Sequence, residues 1–113
     1  MLPALLRRLA EETSIPWFRL FYCYPDKITD ELIAEIRDNP RVLHYIDMPI
    51  QHINDAVLKR MNRHGNRALI EGLIEKLRRE IPDIVIRTTA IVGFPGETDE
   101  EFGELLDFVE TVR

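Results

Sequence analysis

The sequence is short of cysteine, of long apolar runs and of net positive charge. Cys23 is its one cysteine, so no internal disulfide can form. One thiol is also too few for an iron–sulfur cluster, which usually needs about three or four. No stretch approaches the roughly 18 apolar residues of a transmembrane helix, and the first residues lack the pattern of a secretory signal. We therefore expect a protein of the reducing cytoplasm with no membrane contact.

The composition is that of an ordinary globular domain with an acidic balance. The 113 residues are 45% hydrophobic and 31% charged, and the formal net charge is -5. A chain of this length can form one domain with its own core. Its negative charge argues against broad, non-specific binding to nucleic acid. The three histidines lack the spacing of a zinc site, so no metal ligands are predicted.

Hydrophobic spacing and helix-capping residues predict helices that alternate with strands. The predicted order is α-β-α-β-α-α-β-α. The elements are a helix at 3–13, a strand at 17–22, a helix that Thr29 caps and that ends near Asn39, a strand at 42–48, a short helix that Asn54 caps and Gly65 closes, a helix that ends before Pro82, a strand at 84–92, and a final helix opened by a capping box of Thr98 and Glu101. Such alternation predicts an α/β fold with a parallel sheet. Three strands are too few to close a barrel.

Polar residues follow the second predicted strand. Pro49 removes a ladder donor and ends the strand. Gln51 offers both a donor and an acceptor, which suits a ribose or an adenine edge. His52 could be an acid–base group or a ligand. The alternative is that His52 is a polar residue whose hydrogen bonds are satisfied at the strand end.

The third predicted strand runs into a glycine-containing loop, Gly93–Thr98 (GFPGET). Its glycines let the backbone turn sharply and approach a ligand closely, and a helix N-terminus with free N–H groups follows. The segment is not a dinucleotide fingerprint, because Gly-x-Gly-x-x-Gly is missing. The alternative is a strand–turn–helix connection of the kind found in many α/β proteins.

Basic residues form two further features. Arg87 and Thr89 share one face of the third strand, and a buried arginine needs an anionic partner, either a ligand carboxylate or a carboxylate on another strand. The second feature is a basic cluster around the short helix, which is either a solvated face or a contact for an anionic cofactor or ribosomal RNA. Its members are Lys59, Arg60, Arg63 and Arg67.

Taken in series, these segments resemble the radical S-adenosylmethionine (SAM) methylthiotransferases. The segments that carry the resemblance to three successive barrel strands are Trp17–Pro25 (WFRLFYCYP), Tyr45–His52 (YIDMPIQH) with Leu58–Arg63 (LKRMNR), and Arg87–Thr98 (RTTAIVGFPGET) with Glu101–Phe102. The tRNA-modifying branch shares the GFPGET loop but tends to have Ser-Gly where this chain has His52–Ile53. That difference points to the RimO-type branch, which modifies an aspartate of a small-subunit ribosomal protein.

The resemblance implies that residues 1–113 are the central part of a radical SAM partial TIM barrel. The cluster-binding strand, the N-terminal methylthiotransferase domain and the C-terminal TRAM domain would be absent from this segment. The intact transferase would use SAM and 4Fe–4S clusters to form β-methylthio-aspartate. The isolated segment would hold no cluster and no catalytic residue and would be inactive. Position at the strand ends makes these residues the candidate SAM contacts: Gln51, His52, Arg87, Thr89, Gly93, Pro95 and Gly96.

Three alternatives remain open at this point. The intact protein could be a tRNA methylthiotransferase of the same superfamily, or the chain could be a non-catalytic α/β interaction module. A barrel enzyme with metal-dependent hydrolytic chemistry is a weaker alternative, because no carboxylate–histidine set stands at the predicted strand ends. We also expect the isolated segment to self-associate, because a three-stranded sheet leaves open edges and one uncovered face.

Overall fold

The computed structural model describes all 113 residues and contains five α-helices and three strands. Their bounds are α1 Leu2–Glu12, β1 Phe18–Leu20, a 3-10 turn Pro25–Lys27, α2 Asp30–Asp38, β2 Val42–Asp47, α3 Asp55–Arg60, α4 Arg67–Glu80, β3 Val85–Arg87 and α5 Asp99–Val112. The three strands are parallel and lie in the order β1-β2-β3. The predicted order of elements and the parallel α/β sheet are therefore confirmed.

Local hydrogen bonds explain where the helices begin. The Thr29 hydroxyl accepts from the N–H of Leu32 at the start of α2, and the Asn54 side chain caps α3. At α5, the Thr98 hydroxyl accepts from the Glu101 N–H while the Glu101 side chain accepts from the Thr98 N–H. These caps satisfy N–H groups that have no partner inside the helix, and all three were predicted.

The end of α3 differs from the prediction. The helix stops at Arg60, and Asn62 adopts a left-handed conformation with φ +54°. Gly65, with φ +101°, lies in the loop that follows and does not close the helix. Asparagine tolerates the left-handed region better than most residues, so it ended this helix before the glycine was reached.

Strands β1 and β3 are shorter than predicted. Beyond β2, Pro49 has no N–H to donate, and the Ile50 N–H turns to the hydroxyl of Thr88 at 3.3 Å. The same hydroxyl donates to the Met48 carbonyl at 2.9 Å. The two chains meet again at an isolated parallel bridge between Gln51 and Ala90. The proline thus breaks one predicted strand pair into a short ladder and a separate bridge.

Helices cover only one face of the sheet. Leu20, Val42 and Ile46 point to this face and belong to a core shared with α1, α2 and α4. A second core surrounds Met48 and Ile50 beyond the end of β2, where α3, α4 and α5 contribute apolar side chains. The opposite face has no covering layer, and Val85 and Arg87 are exposed there. None of the helices is both long and apolar enough to cross a bilayer.

Candidate cofactor-binding site

The carboxyl ends of β2 and β3 bring three predicted site residues to one edge of the sheet. Asp47 pairs with Arg87 in the ladder, and the Gln51 N–H donates to the Thr89 carbonyl at 3.0 Å. The Gln51 carbonyl in turn accepts from the Ile91 N–H at 2.7 Å. Gln51 has φ +69°, an unfavourable conformation for a residue other than glycine. Such strain concentrates at functional sites, where surrounding contacts hold it in place.

Arg87 lies on the uncovered face and faces a buried carboxylate. Its side chain is 57% exposed, and its Nη1 is 3.6 Å from Oδ1 of Asp47, whose side chain is 1% exposed. The Tyr22 N–H donates to Asp47 Oδ2 at 3.0 Å, but Oδ1 accepts no hydrogen bond. A buried oxygen without a donor is unusual and costly. Arg87 therefore has a strand carboxylate nearby and free donors for a further acceptor.

Asp47 was not among the predicted site residues. The one sequence signal was an acidic residue near the end of the predicted strand 42–48. Asp47 also lies next to Cys23, whose N–H donates to the backbone carbonyl of Asp47 at 2.8 Å. Burial, and then the negative charge of Asp47, raise the pKa of the Cys23 thiol. A raised pKa keeps the thiol protonated and poorly nucleophilic.

The Gly93–Gly96 loop follows β3 and leaves its backbone open. Gly93 and Gly96 have φ +73° and +83°, and a Cβ added to either would meet no atom within 4 Å. The Glu97 N–H donates to the Phe94 carbonyl at 2.8 Å, so residues 94–97 form a turn with Pro95 and Gly96 at its centre. Proline followed by a residue of positive φ is typical of a type II turn. The loop presents peptide groups and small residues to the space beyond the sheet edge.

His52 lies beneath this loop rather than on the uncovered face. Its side chain is fully buried, and Nε2 is 2.6 Å from Oε2 of Glu97, whose side chain is 6% exposed. Nδ1 accepts from the Asn54 N–H at 3.0 Å. This arrangement agrees with the alternative interpretation, in which His52 is a polar residue whose hydrogen bonds are satisfied at the strand end. His52 is the one of the seven predicted contacts whose side chain is fully buried; all seven contacts stay predictions.

The basic cluster is mostly engaged within the protein. Arg60 pairs with Glu101 at 2.8 Å and donates to the Gly96 carbonyl at 3.3 Å, and its hydrogen bond holds the pKa of the Glu101 carboxyl below its usual value. Arg67 pairs with Glu71 at 2.8 Å. Arg63 donates to the Pro49 carbonyl at 2.9 Å and stacks over Tyr24. Lys59 and Arg63 are the cluster members without an ion pair, and the contacts of the three arginines favour an internal role over nucleic-acid contact.

The surface cavities lie away from the predicted contacts. The largest, about 390 Å³, is lined by α1 and by the segment that follows β1. None of the cavities is lined by any of the seven predicted residues. The candidate site is therefore one wall, open on the side away from the helices.

Comparison with known proteins identifies the family. Residues 1–109 match the model of the Radical SAM superfamily. The chain belongs to that superfamily. It is 55% identical over 112 residues, 99% of this chain, to the ribosomal protein uS12 methylthiotransferase RimO of Alkaliphilus oremlandii, of which it covers 26%. The proteins of the same name from Desulfitobacterium hafniense and Carboxydothermus hydrogenoformans are 52% and 56% identical, over 99% and 96% of this chain and 25% of each relative. The chain thus spans about a quarter of the length of these relatives.

Membership of the radical SAM superfamily implies SAM and an iron–sulfur cluster, and the residues present fit these two groups differently. The open wall, with an Asp47 Oδ1 that accepts no hydrogen bond and an uncovered loop backbone, fits a polar ligand such as SAM. The cluster does not fit, since Cys23 is the one cysteine and no group of three or more metal-binding side chains comes together. This part of the superfamily domain holds no cluster-binding group.

Proposed function

We propose that this chain is part of a RimO-type radical SAM methylthiotransferase that converts an aspartate of a small-subunit ribosomal protein to β-methylthio-aspartate. The observation that carries the proposal is the likeness along nearly the whole chain to relatives named as uS12 methylthiotransferases. The motif His52–Ile53 after Gln51, where the tRNA-modifying branch tends to differ, supports the same branch. The intact enzyme is proposed to work in the cytoplasm.

The sheet supports a finer proposal about architecture. The three parallel strands with helices on one face would be successive βα units of a partial TIM barrel. Residues 1–113 would be its central part. The cluster-binding strand, the N-terminal methylthiotransferase domain and the C-terminal TRAM domain would belong to other parts of the full protein. The uncovered sheet face would then look into the barrel. Self-association of the isolated segment stays a prediction, which light scattering would check.

The SAM-binding wall of the proposed enzyme consists of the strand ends and the loop. Active sites of α/β barrels lie at the carboxyl ends of the strands, where Gln51, Arg87 and Thr89 meet. Gln51 would hold the adenosine part, and the peptide groups of the Gly93–Gly96 loop would contact the same ligand. Arg87 would hold the carboxylate of SAM through two parallel hydrogen bonds. SAM, when bound, supplies the radical and methyl-transfer chemistry; these residues bind and orient it.

The activity is tested on the full-length protein that contains this chain, reconstituted anaerobically with iron and sulfide. With SAM and a reductant, we expect mass spectrometry to find a methylthio group on one aspartate of the small-subunit ribosomal protein. The same reaction with bulk tRNA is the comparison. Methylthio-adenosine in tRNA, with the ribosomal protein unmodified, would replace this proposal by the tRNA-modifying alternative. No modification of either substrate, by a protein that binds both SAM and cluster, would contradict both.

A further inference from the structure

The Gly93–Gly96 loop is connected to the end of β2 by a series of hydrogen bonds that begins at the buried His52 and ends at the exposed Gly93 N–H. The Gly93 N–H donates to Glu97 Oε1 at 2.8 Å, and Glu97 Oε2 lies 2.6 Å from Nε2 of His52. His52 Nδ1 accepts from the Asn54 N–H at 3.0 Å. The side chains of His52 and Glu97 are 0% and 6% exposed. The series of hydrogen bonds therefore runs from Asn54 at the start of α3, through these two side chains, to the first glycine of the loop.

The partners of His52 fix which of its nitrogens carries the proton. A backbone N–H can only donate, so Nδ1 must be the acceptor for Asn54. The hydrogen then resides on Nε2 and is donated to Glu97. Both oxygens of Glu97 are thereby used as acceptors, one by His52 and one by Gly93. Each group has one role, and no member can reverse direction without leaving a buried donor or acceptor unpaired.

Few other contacts fix the loop. Within it, the Glu97 N–H donates to the Phe94 carbonyl, and from outside, Arg60 reaches the Gly96 carbonyl at 3.3 Å. The Cα atoms of Gly93 and Gly96 face open space. A glycine-containing turn with so few side-chain contacts has many accessible conformations. The Glu97 carboxylate, which accepts from the Gly93 N–H, restricts these conformations.

We infer that His52 and Glu97 are positioning residues that form a buried strut and set the conformation of the Gly93–Gly96 loop. The inference rests on the proposed function for its consequence, the binding of SAM by the loop, but not for its geometry. His52 would then affect the cofactor through Glu97 and not by contact. This replaces the expectation that its side chain touches SAM.

Matched amide substitutions test the strut. His52→Gln keeps a donor near the Nε2 position, whereas His52→Asn keeps an acceptor near Nδ1 and cannot reach Glu97. Glu97→Gln has one oxygen for two donors and should break the chain. In the double variant His52→Gln/Glu97→Gln, the carbonyl of residue 52 can accept from the NH2 group of residue 97, which leaves the single side-chain oxygen of residue 97 to accept from the Gly93 N–H. The control is His44→Asn, at the exposed pair of His44 with Asp83.

Two measurements on the full-length protein read out the effect. Hydrogen exchange of the segment 93–97, without SAM, reports the loop directly, with segment 42–47 as internal reference. Equilibrium binding of SAM to the reconstituted protein reports the consequence. We expect His52→Asn and Glu97→Gln to speed exchange at 93–97 by about tenfold or more and to weaken SAM binding by about tenfold. His52→Gln, the double variant and His44→Asn should stay within about threefold of wild type.

The outcomes separate the strut from the proposed function. Two results would contradict the positioning role of His52 and Glu97. One is an equal rate of exchange at 93–97 in all variants, and the other is a double variant that exchanges as fast there as Glu97→Gln. Loss of folding in His52→Asn and Glu97→Gln alone, with the double variant folded and protected, supports it. Exchange that follows the expected order while SAM affinity does not change overturns the link to the cofactor. A wild-type protein that carries its cluster and binds no SAM contradicts the proposed function and leaves the exchange result standing.

Discussion

The two ends of the sheet each hold a histidine–carboxylate pair at the same distance, in opposite surroundings. At the carboxyl end, His52 and Glu97 are 2.6 Å apart, with side chains 0% and 6% exposed. At the amino end, His44 and Asp83 are also 2.6 Å apart, but their side chains are 35% and 75% exposed. Water can replace either partner of the exposed pair and cannot reach the buried one. The same contact is therefore weak at one end of the sheet and structurally decisive at the other.

The backbone shows the same difference between the ends. Tyr22 follows β1, Gln51 follows β2 and Gly93 follows β3, and all three have positive φ. No residue that leads into a strand has such a conformation. The amino end is instead closed by ordinary surface contacts, such as Arg41 with the carbonyls of Thr13 and Ile15. Backbone of positive φ thus follows the carboxyl ends of the strands, the end at which α/β barrels carry their active sites.

Removing the two histidines gives the largest expected difference between the ends. His52→Ala leaves the Glu97 carboxylate buried without one of its two donors and opens a cavity. We expect a loss of about 3–5 kcal/mol in the free energy of unfolding. His44→Ala removes an exposed pair and should cost less than about 1 kcal/mol. Chemical denaturation of the full-length protein, wild type and both variants, measures the two values.

Equal losses of unfolding free energy in His52→Ala and His44→Ala would contradict the contrast between the two ends of the sheet. Equal losses would mean that burial does not distinguish the pairs, and that the Glu97 carboxylate finds other donors when His52 is absent. A larger loss for His44→Ala would move the structurally important polar contact to the amino end.

Arg87 should give a smaller effect, on ligand affinity more than on stability. Its side chain is 57% exposed and 3.6 Å from Asp47, so the pair contributes less than about 1 kcal/mol to folding. Arg87→Lys keeps the charge and loses the two-pronged donor, and SAM binding should weaken by about 30-fold, or about 2 kcal/mol. Isothermal titration with SAM, alongside thermal denaturation, separates the two effects. Affinity within threefold of wild type, or a loss of stability without SAM, would make Arg87 a structural partner of Asp47.

The features that depend on neighbouring residues could be predicted from the sequence. Thr29, Asn54 and the Thr98–Glu101 capping box act on N–H groups within one helical turn, so their residue types and spacing are sufficient. The alternation of strands and helices likewise predicted the parallel sheet. The length of β3 was not predicted, because it depends on a partner strand in which Pro49 lacks an N–H.

The sequence predicted which residues meet at the strand ends, and their contacts with a ligand stay predictions. The strand ends identified Gln51, Arg87 and Thr89, which the sheet does bring together. The burial of His52 could not be predicted, because its partner Glu97 is 45 residues away along the chain. Asp47 was missed for the same reason: its importance comes from tertiary burial and from an oxygen that no donor satisfies.

The central claim is that the carboxyl ends of β2 and β3 form a wall of the SAM site, and ligand-dependent hydrogen exchange tests it most directly. The reconstituted full-length protein would be compared with and without SAM. We predict slower exchange in the segments Asp47–His52 and Arg87–Glu97, where backbone groups line the open face, and no change in α4 on the covered face. Protection by SAM elsewhere in the protein, with both segments unchanged, would contradict the claim.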